Sequence, residues 1–90
     1  MIAKTIFYEG HVQGVGFRYS VKQLAAGFDV SGTVENLPDG RVRLDIQGEN
    51  HEVQALVDEI DRSHLNGLIK KKEIIASVWD DQKKGFHITR

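Results

Sequence analysis

The sequence has 90 residues, enough for one compact hydrophobic core and too few for two, so a single domain spanning residues 1–90 is expected. Its 12 Lys and Arg against 13 Asp and Glu leave a formal charge of -1, which excludes the long-range positive field that gathers nucleic acid or an anionic membrane. The absence of cysteine excludes disulfides, thiolate nucleophiles and cysteine-ligated zinc or iron–sulfur sites together.

Lys4 to Gly10 (KTIFYEG) carries β-branched and aromatic residues with no breaker before its final glycine, and reads as a strand. A glycine-rich turn follows. From Phe17 the apolar positions Phe17, Val21, Leu24, Ala25 and Phe28 fall three and four apart, which predicts a helix weakened at Gly27 and Asp29. Val30 to Leu37 and Arg41 to Gly48 flank Pro38-Asp39-Gly40, predicting a hairpin. Its second strand alternates strictly, with Val42, Leu44 and Ile46 turned inward and Arg41, Arg43, Asp45 and Gln47 outward. Asn50 is placed to cap a second helix with the apolar stripe Val53, Leu56, Val57 and Ile60, ending around Ser63 to Gly67. Ile69 to Asp80 alternates loosely, and Gly85 to Arg90 (GFHITR) predicts a short final strand.

This β-α-β-β-α-β order, with an extra terminal strand, predicts an α+β fold of the ferredoxin-like split β-α-β kind, two helices covering one face of an antiparallel sheet. Met1 to Gly10 lacks the apolar core of a signal peptide, and nothing later nears the roughly 20 apolar residues of a membrane span. A cytoplasmic protein with no membrane partner is expected.

Chemistry concentrates between the first strand and the first helix. GHVQGVGFR places Gly10, Gly14 and Gly16 where the backbone can turn its N–H groups toward one concave point, at the positive end of a helix dipole and beside Arg18. On spacing alone, an anion cradle and a plain tight connection fit this pattern equally well. A Walker loop does not fit, because Gly16 is followed by Phe17 and Arg18 in place of Lys-Ser/Thr, and a dinucleotide fingerprint would need glycine at Tyr19.

The run from Gly10 to Arg18 closely resembles the signature loop of the acylphosphatases, and Gly32-Thr33-Val34-Glu35-Asn36 with Asp39-Gly40 resembles their second block. A closing Gly-Phe-x-Ile segment, Gly85 to Ile88, agrees as well. The resemblance implies hydrolysis of acyl phosphates, with inorganic phosphate or a similar anion held by His11, Val12, Gln13, Gly14, Val15, Gly16, Phe17 and Arg18. Arg18 would bind the phosphoryl group and Asn36 would position the attacking water. The sequence departs from the family at Thr33, usually aromatic, and at Glu35, often basic. Acetyl phosphate, carbamoyl phosphate and an acylated glycolytic phosphate all fit as substrates.

Two other functions suit the same element order. A small-molecule regulatory module uses this fold, though commonly joined to an enzyme. An RNA-binding module needs aromatics on its central strands, and Arg41 to Gln47 (RVRLDIQ) has none, so no nucleic-acid partner is expected. His11, His51, His64 and His87 are scattered without ligand spacing, so neither a metal nor another cofactor is expected. Lys70, Lys71 and Lys72 read as a solvated strand start or a protected sheet edge, Trp79 and Phe86 as core or partly buried surface, and Asp80-Asp81 as a turn. A monomer is expected.

Overall fold

The computed structural model describes residues 1–89. Strand β1 (Ile2–Gly10) leads through a loop into helix α1 (Phe17–Ala25), followed by β2 (Val30–Asn36) and β3 (Val42–Gly48), and then by helix α2 (Asn50–Arg62). A 3-10 turn (His64–Leu68), β4 (Ile69–Ala76) and β5 (Phe86–Ile88) complete the order. The five strands form one sheet in the order β4-β1-β3-β2-β5.

The alternation in β3 determines which way the sheet faces. Val42, Leu44 and Ile46 are buried and pair across the ladder with Tyr8, Ile6 and Lys4 of β1, while Leu44 also meets Val34 of β2. Onto that face pack the inward stripes of both helices: Phe17, Val21 and Ala25 of α1, and Val53, Leu56, Val57 and Ile60 of α2. Each large side chain removed from water this way contributes about 1.5–3 kcal/mol. The Tyr8 and Phe17 rings meet at 5.4 Å and 57°, joining the end of β1 to the start of α1. Helix α1 stops at Ala25, so Phe28 packs against the core from the connection rather than from the helix.

The sheet is mixed, not antiparallel throughout: β5 runs parallel to β2. The reason is topological, since β4 and β5 occupy opposite edges and residues 77–85 must cross the sheet to connect them. The crossing is fastened at Ser77 N–H to the Ala3 carbonyl, by both ends of the Gln47 side chain to the Asp80 backbone, and at the Gly85 carbonyl by Gly32 N–H. It corrects two expectations. Gln47 is buried beneath the crossing, although alternation alone placed it with the solvent-facing residues, and the strand expected to reach Asp80 ends at Ala76. Asn50 is not the cap of α2. That position belongs to Glu49, whose carbonyl accepts from Glu52 and Val53 N–H, leaving Asn50 as the first helical residue. β4 is an edge strand, and its lysines flank the core, with Lys72 bridging Asp61 at 2.6 Å. Arg90, included in the expected final strand, lies outside the described residues. No helix among the described residues is long and apolar enough to cross a membrane.

Candidate active site

Where β1 ends, the chain leaves the sheet at Gly10 and His11 donates its backbone N–H to the Leu68 carbonyl at 2.9 Å. That bond anchors the loop's entry and commits the His11 amide. Val12 then buries its side chain in the core. Gly14 and Gly16 adopt left-handed backbone angles, φ 76° and 77°, in surroundings where an added Cβ would touch nothing within 4 Å. Glycine is required there by the backbone conformation and not by lack of room.

Helix α1 starts on Gly16, whose carbonyl accepts Ser20 N–H at 3.0 Å. Its first turn carries no acidic residue and its N-terminus has no side-chain cap. Among the described residues, none of the backbone N–H groups from Val12 to Tyr19 reaches a backbone acceptor. A run of open donors at a helix N-terminus leaves positive partial charge that an anion can satisfy.

Those donors border a cavity of about 150 Å³ lined by Val12, Gly14, Gly16, Arg18 and Asn36, with Phe17, Tyr19 and Ile88 completing its walls. Arg18, on the first turn of α1, and Asn36, the last residue of β2, therefore share one space although 18 positions separate them in sequence. Arg18 has no ion-pair partner among the described residues, so its guanidinium fork is available to an anion.

Among the described residues, two buried side-chain oxygens lack hydrogen-bond partners: Asn36 Oδ1 and the Tyr8 hydroxyl. Their settings differ. Asn36 lines the cavity, where a substrate or water can meet it. Tyr8 lies in the core, and burial, with the Asp61 carboxylate adding to it, pushes its phenol well above the ordinary value, so it stays protonated.

Of the expected loop residues, Val12, Gly14, Gly16, Phe17 and Arg18 line the cavity, while Gln13 directs its carboxamide away to the Leu37 and Arg41 carbonyls at 2.8 and 2.9 Å. Val15 stands exposed beside them. Sequence reasoning did not assign Tyr19 or Ile88 to the site. Ile88 left a trace in the Gly85 to Ile88 segment, whereas an exposed aromatic in a first helical turn carries no signal of its own. No group of three or more His, Asp or Glu that could hold a metal occurs among the described residues.

The acylphosphatase family profile matches residues 4–88. An acylphosphatase of Clostridium acetobutylicum is 38% identical over 81 residues, covering 88% of this chain and 87% of that protein. One from Listeria monocytogenes is 45% identical over 80 residues, covering 88% and 86%. The crystal structure of acylphosphatase from Bacillus subtilis superposes with a TM-score of 0.89 at 29% identity, over 100% of both chains.

Proposed function

Because the chain belongs to the acylphosphatase family and hydrolyses acyl phosphates, we propose that Arg18 and the loop N–H groups hold the phosphoryl group while Asn36 aligns the attacking water. The alternative of a small-molecule regulatory module is not favoured. The observation that supports this assignment of roles is the shared cavity, with open amides and a free guanidinium bordering it and the unpartnered Asn36 Oδ1 set in its wall. The cradle begins at Val12, since the His11 amide is already bonded to Leu68.

Few side chains are needed because the leaving group is a carboxylate. Its conjugate acid has a pKa of roughly 4–5, near those of Asp and Glu, so it departs without a proton donor. Asparagine cannot accept a proton at neutral pH, and its role is to orient. As the water oxygen bonds to phosphorus and the bond to the acyl oxygen breaks, the water's proton passes to a phosphoryl oxygen of the substrate. The amides and Arg18 stabilise the charge spread over those oxygens. Phosphate monoesters are poor substrates on this scheme, because their alkoxide leaving groups need a proton donor and no His, Asp, Glu or Lys is among the residues lining the cavity.

The same reading makes the protein a cytoplasmic, monomeric, metal-independent enzyme of one domain without a nucleic-acid partner. On the sheet face away from the helices, Phe7 lies under the Arg41 guanidinium at 4.5 Å and near that of Arg43 at 5.8 Å, so it is not a free stacking platform. A chelator should leave turnover unchanged, and a loss restored by magnesium would reject metal independence.

The deciding experiment is Asn36→Ala. Loss of one positioned hydrogen bond in the transition state costs about 2.7–4 kcal/mol, so turnover should fall by roughly 100- to 1,000-fold. Affinity for inorganic phosphate, measured by competitive inhibition, should hold. Near-wild-type turnover where the variant is folded would reject the water-positioning role.

A further inference from the structure

Gln13 is the side chain that ties the loop to the hairpin. Its Nε2 donates to the Leu37 carbonyl at 2.8 Å and the Arg41 carbonyl at 2.9 Å, using both hydrogens of the primary amide. Those carbonyls belong to the turn that begins immediately after Asn36, and the turn is already closed on itself. Leu37 N–H donates to the Arg41 carbonyl at 2.8 Å, and Gly40 N–H to the Leu37 carbonyl at 3.1 Å. Each carbonyl thus accepts one bond from within the turn and one from Gln13, so the carboxamide fits a preformed pair of acceptors. Among the described residues, these are the only hydrogen bonds joining the loop of residues 11–16 to the hairpin.

The loop carries the cradle, and the hairpin carries Asn36. Each has its own anchor on the sheet, and nothing else polar sets one against the other. We propose that Gln13 is a positioning residue which holds the hairpin, and with it Asn36, in register with the phosphoryl group in the cradle. This rests on the water-positioning role of Asn36. Misplacement of reacting groups by about 1 Å costs on the order of 100-fold in rate, so a clamp between two halves of a site bears directly on turnover.

The test is a double-mutant cycle on kcat with Gln13→Met, which keeps the length of the side chain and removes both donors, and Asn36→Ala. Gln13→Asn, which keeps the amide but draws it back by one methylene, serves as a second variant should the methionine variant not fold. All are measured below their melting temperatures. Either Gln13 variant should lower kcat by about 10- to 100-fold. Inorganic-phosphate affinity should change little, because the cradle's amides and Arg18 remain. In the Asn36→Ala background the same Gln13 change should add little further loss, since there is no longer an oriented group to misplace. Multiplying losses, unchanged kcat, or phosphate affinity falling in step with kcat would each overturn the positioning role while leaving that of Asn36 intact. Wild-type turnover in Asn36→Ala alone would overturn both.

Discussion

The chain steps from strand to helix twice, from β1 to α1 and from β3 to α2, and the two junctions are finished differently. Between β3 and α2 the step is short: Glu49, in extended conformation, closes the first turn through its carbonyl, and Glu52 places a carboxylate there that accepts Asp29 N–H at 2.7 Å. Between β1 and α1 the step is longer, with Gly16 left-handed at the cap, open amides and Arg18 in the first turn without an acid beside it. Both helices carry positive partial charge at the N-terminus. What separates them is that α2 supplies its own anion and α1 leaves the place open.

The most severe way to break that difference is at Arg18. Arg18→Ala should leave a folded protein with no measurable turnover and no phosphate binding, by colorimetric assay and calorimetric titration. Arg18→Lys should fail too, because a point ammonium does not reproduce the planar fork. Retained phosphate affinity in either would contradict the assignment.

Gly16→Ala tests the backbone. With φ at 77° and no steric obstacle to the new methyl, its cost is purely conformational, about 1–2 kcal/mol. A lowered melting temperature and weakened phosphate binding are expected together, and an unchanged melting temperature would show that the loop accommodates the residue by another conformation.

Tyr19→Glu makes the first junction resemble the second. Tyr19 is the third residue of α1 as Glu52 is of α2, and it is exposed. An acid there offsets the helix terminus by about 0.3–1 kcal/mol, so phosphate affinity should fall roughly two- to fivefold at low salt and recover at high salt. Affinity independent of salt would argue against an electrostatic origin.

The smallest effect concerns the turn that receives Gln13. There the Asp39 carboxyl is held below its ordinary value, first by Arg41 N–H and then by the Arg41 guanidinium. A depressed carboxyl stabilises the fold above its unfolded pKa of about 3.9 and loses that contribution as pH falls through the lower folded value. Asp39→Asn should therefore be slightly less stable than wild type at pH 7, with the gap closing in strong acid. A gap that widened there would reverse the sign.

How far the sequence could be read depended on whether a residue answers to its neighbours or to distant chain. Val42, Leu44 and Ile46 are buried as alternation required, because the period of a strand is local. Gln47 obeys the same period and yet is buried, because residues 77–85 cross over it. The glycine-rich loop was legible as a motif, Asn36 was reached only through the family resemblance, and the structure brings Arg18 and Asn36 to one cavity. The Gln13 clamp was not, since its acceptors are backbone carbonyls 24 and 28 positions away that any residue could provide. The Asn50 cap was misplaced by one position because Glu49 takes the extended conformation first.

The crossing from β4 to β5 has a consequence for a chain emerging from the ribosome. The loop, Arg18 and Asn36 are all in place within the first 36 positions, but Ile88, which walls the same cavity, arrives on β5. That strand can dock only once β2 is set in the sheet and residues 77–85 have passed across it. Synthesis at about 5–20 residues per second leaves several seconds between Asn36 and Ile88. During that interval a nascent chain carries the loop, Arg18 and Asn36 without the strand that walls their cavity, so the cavity is completed only when β5 docks.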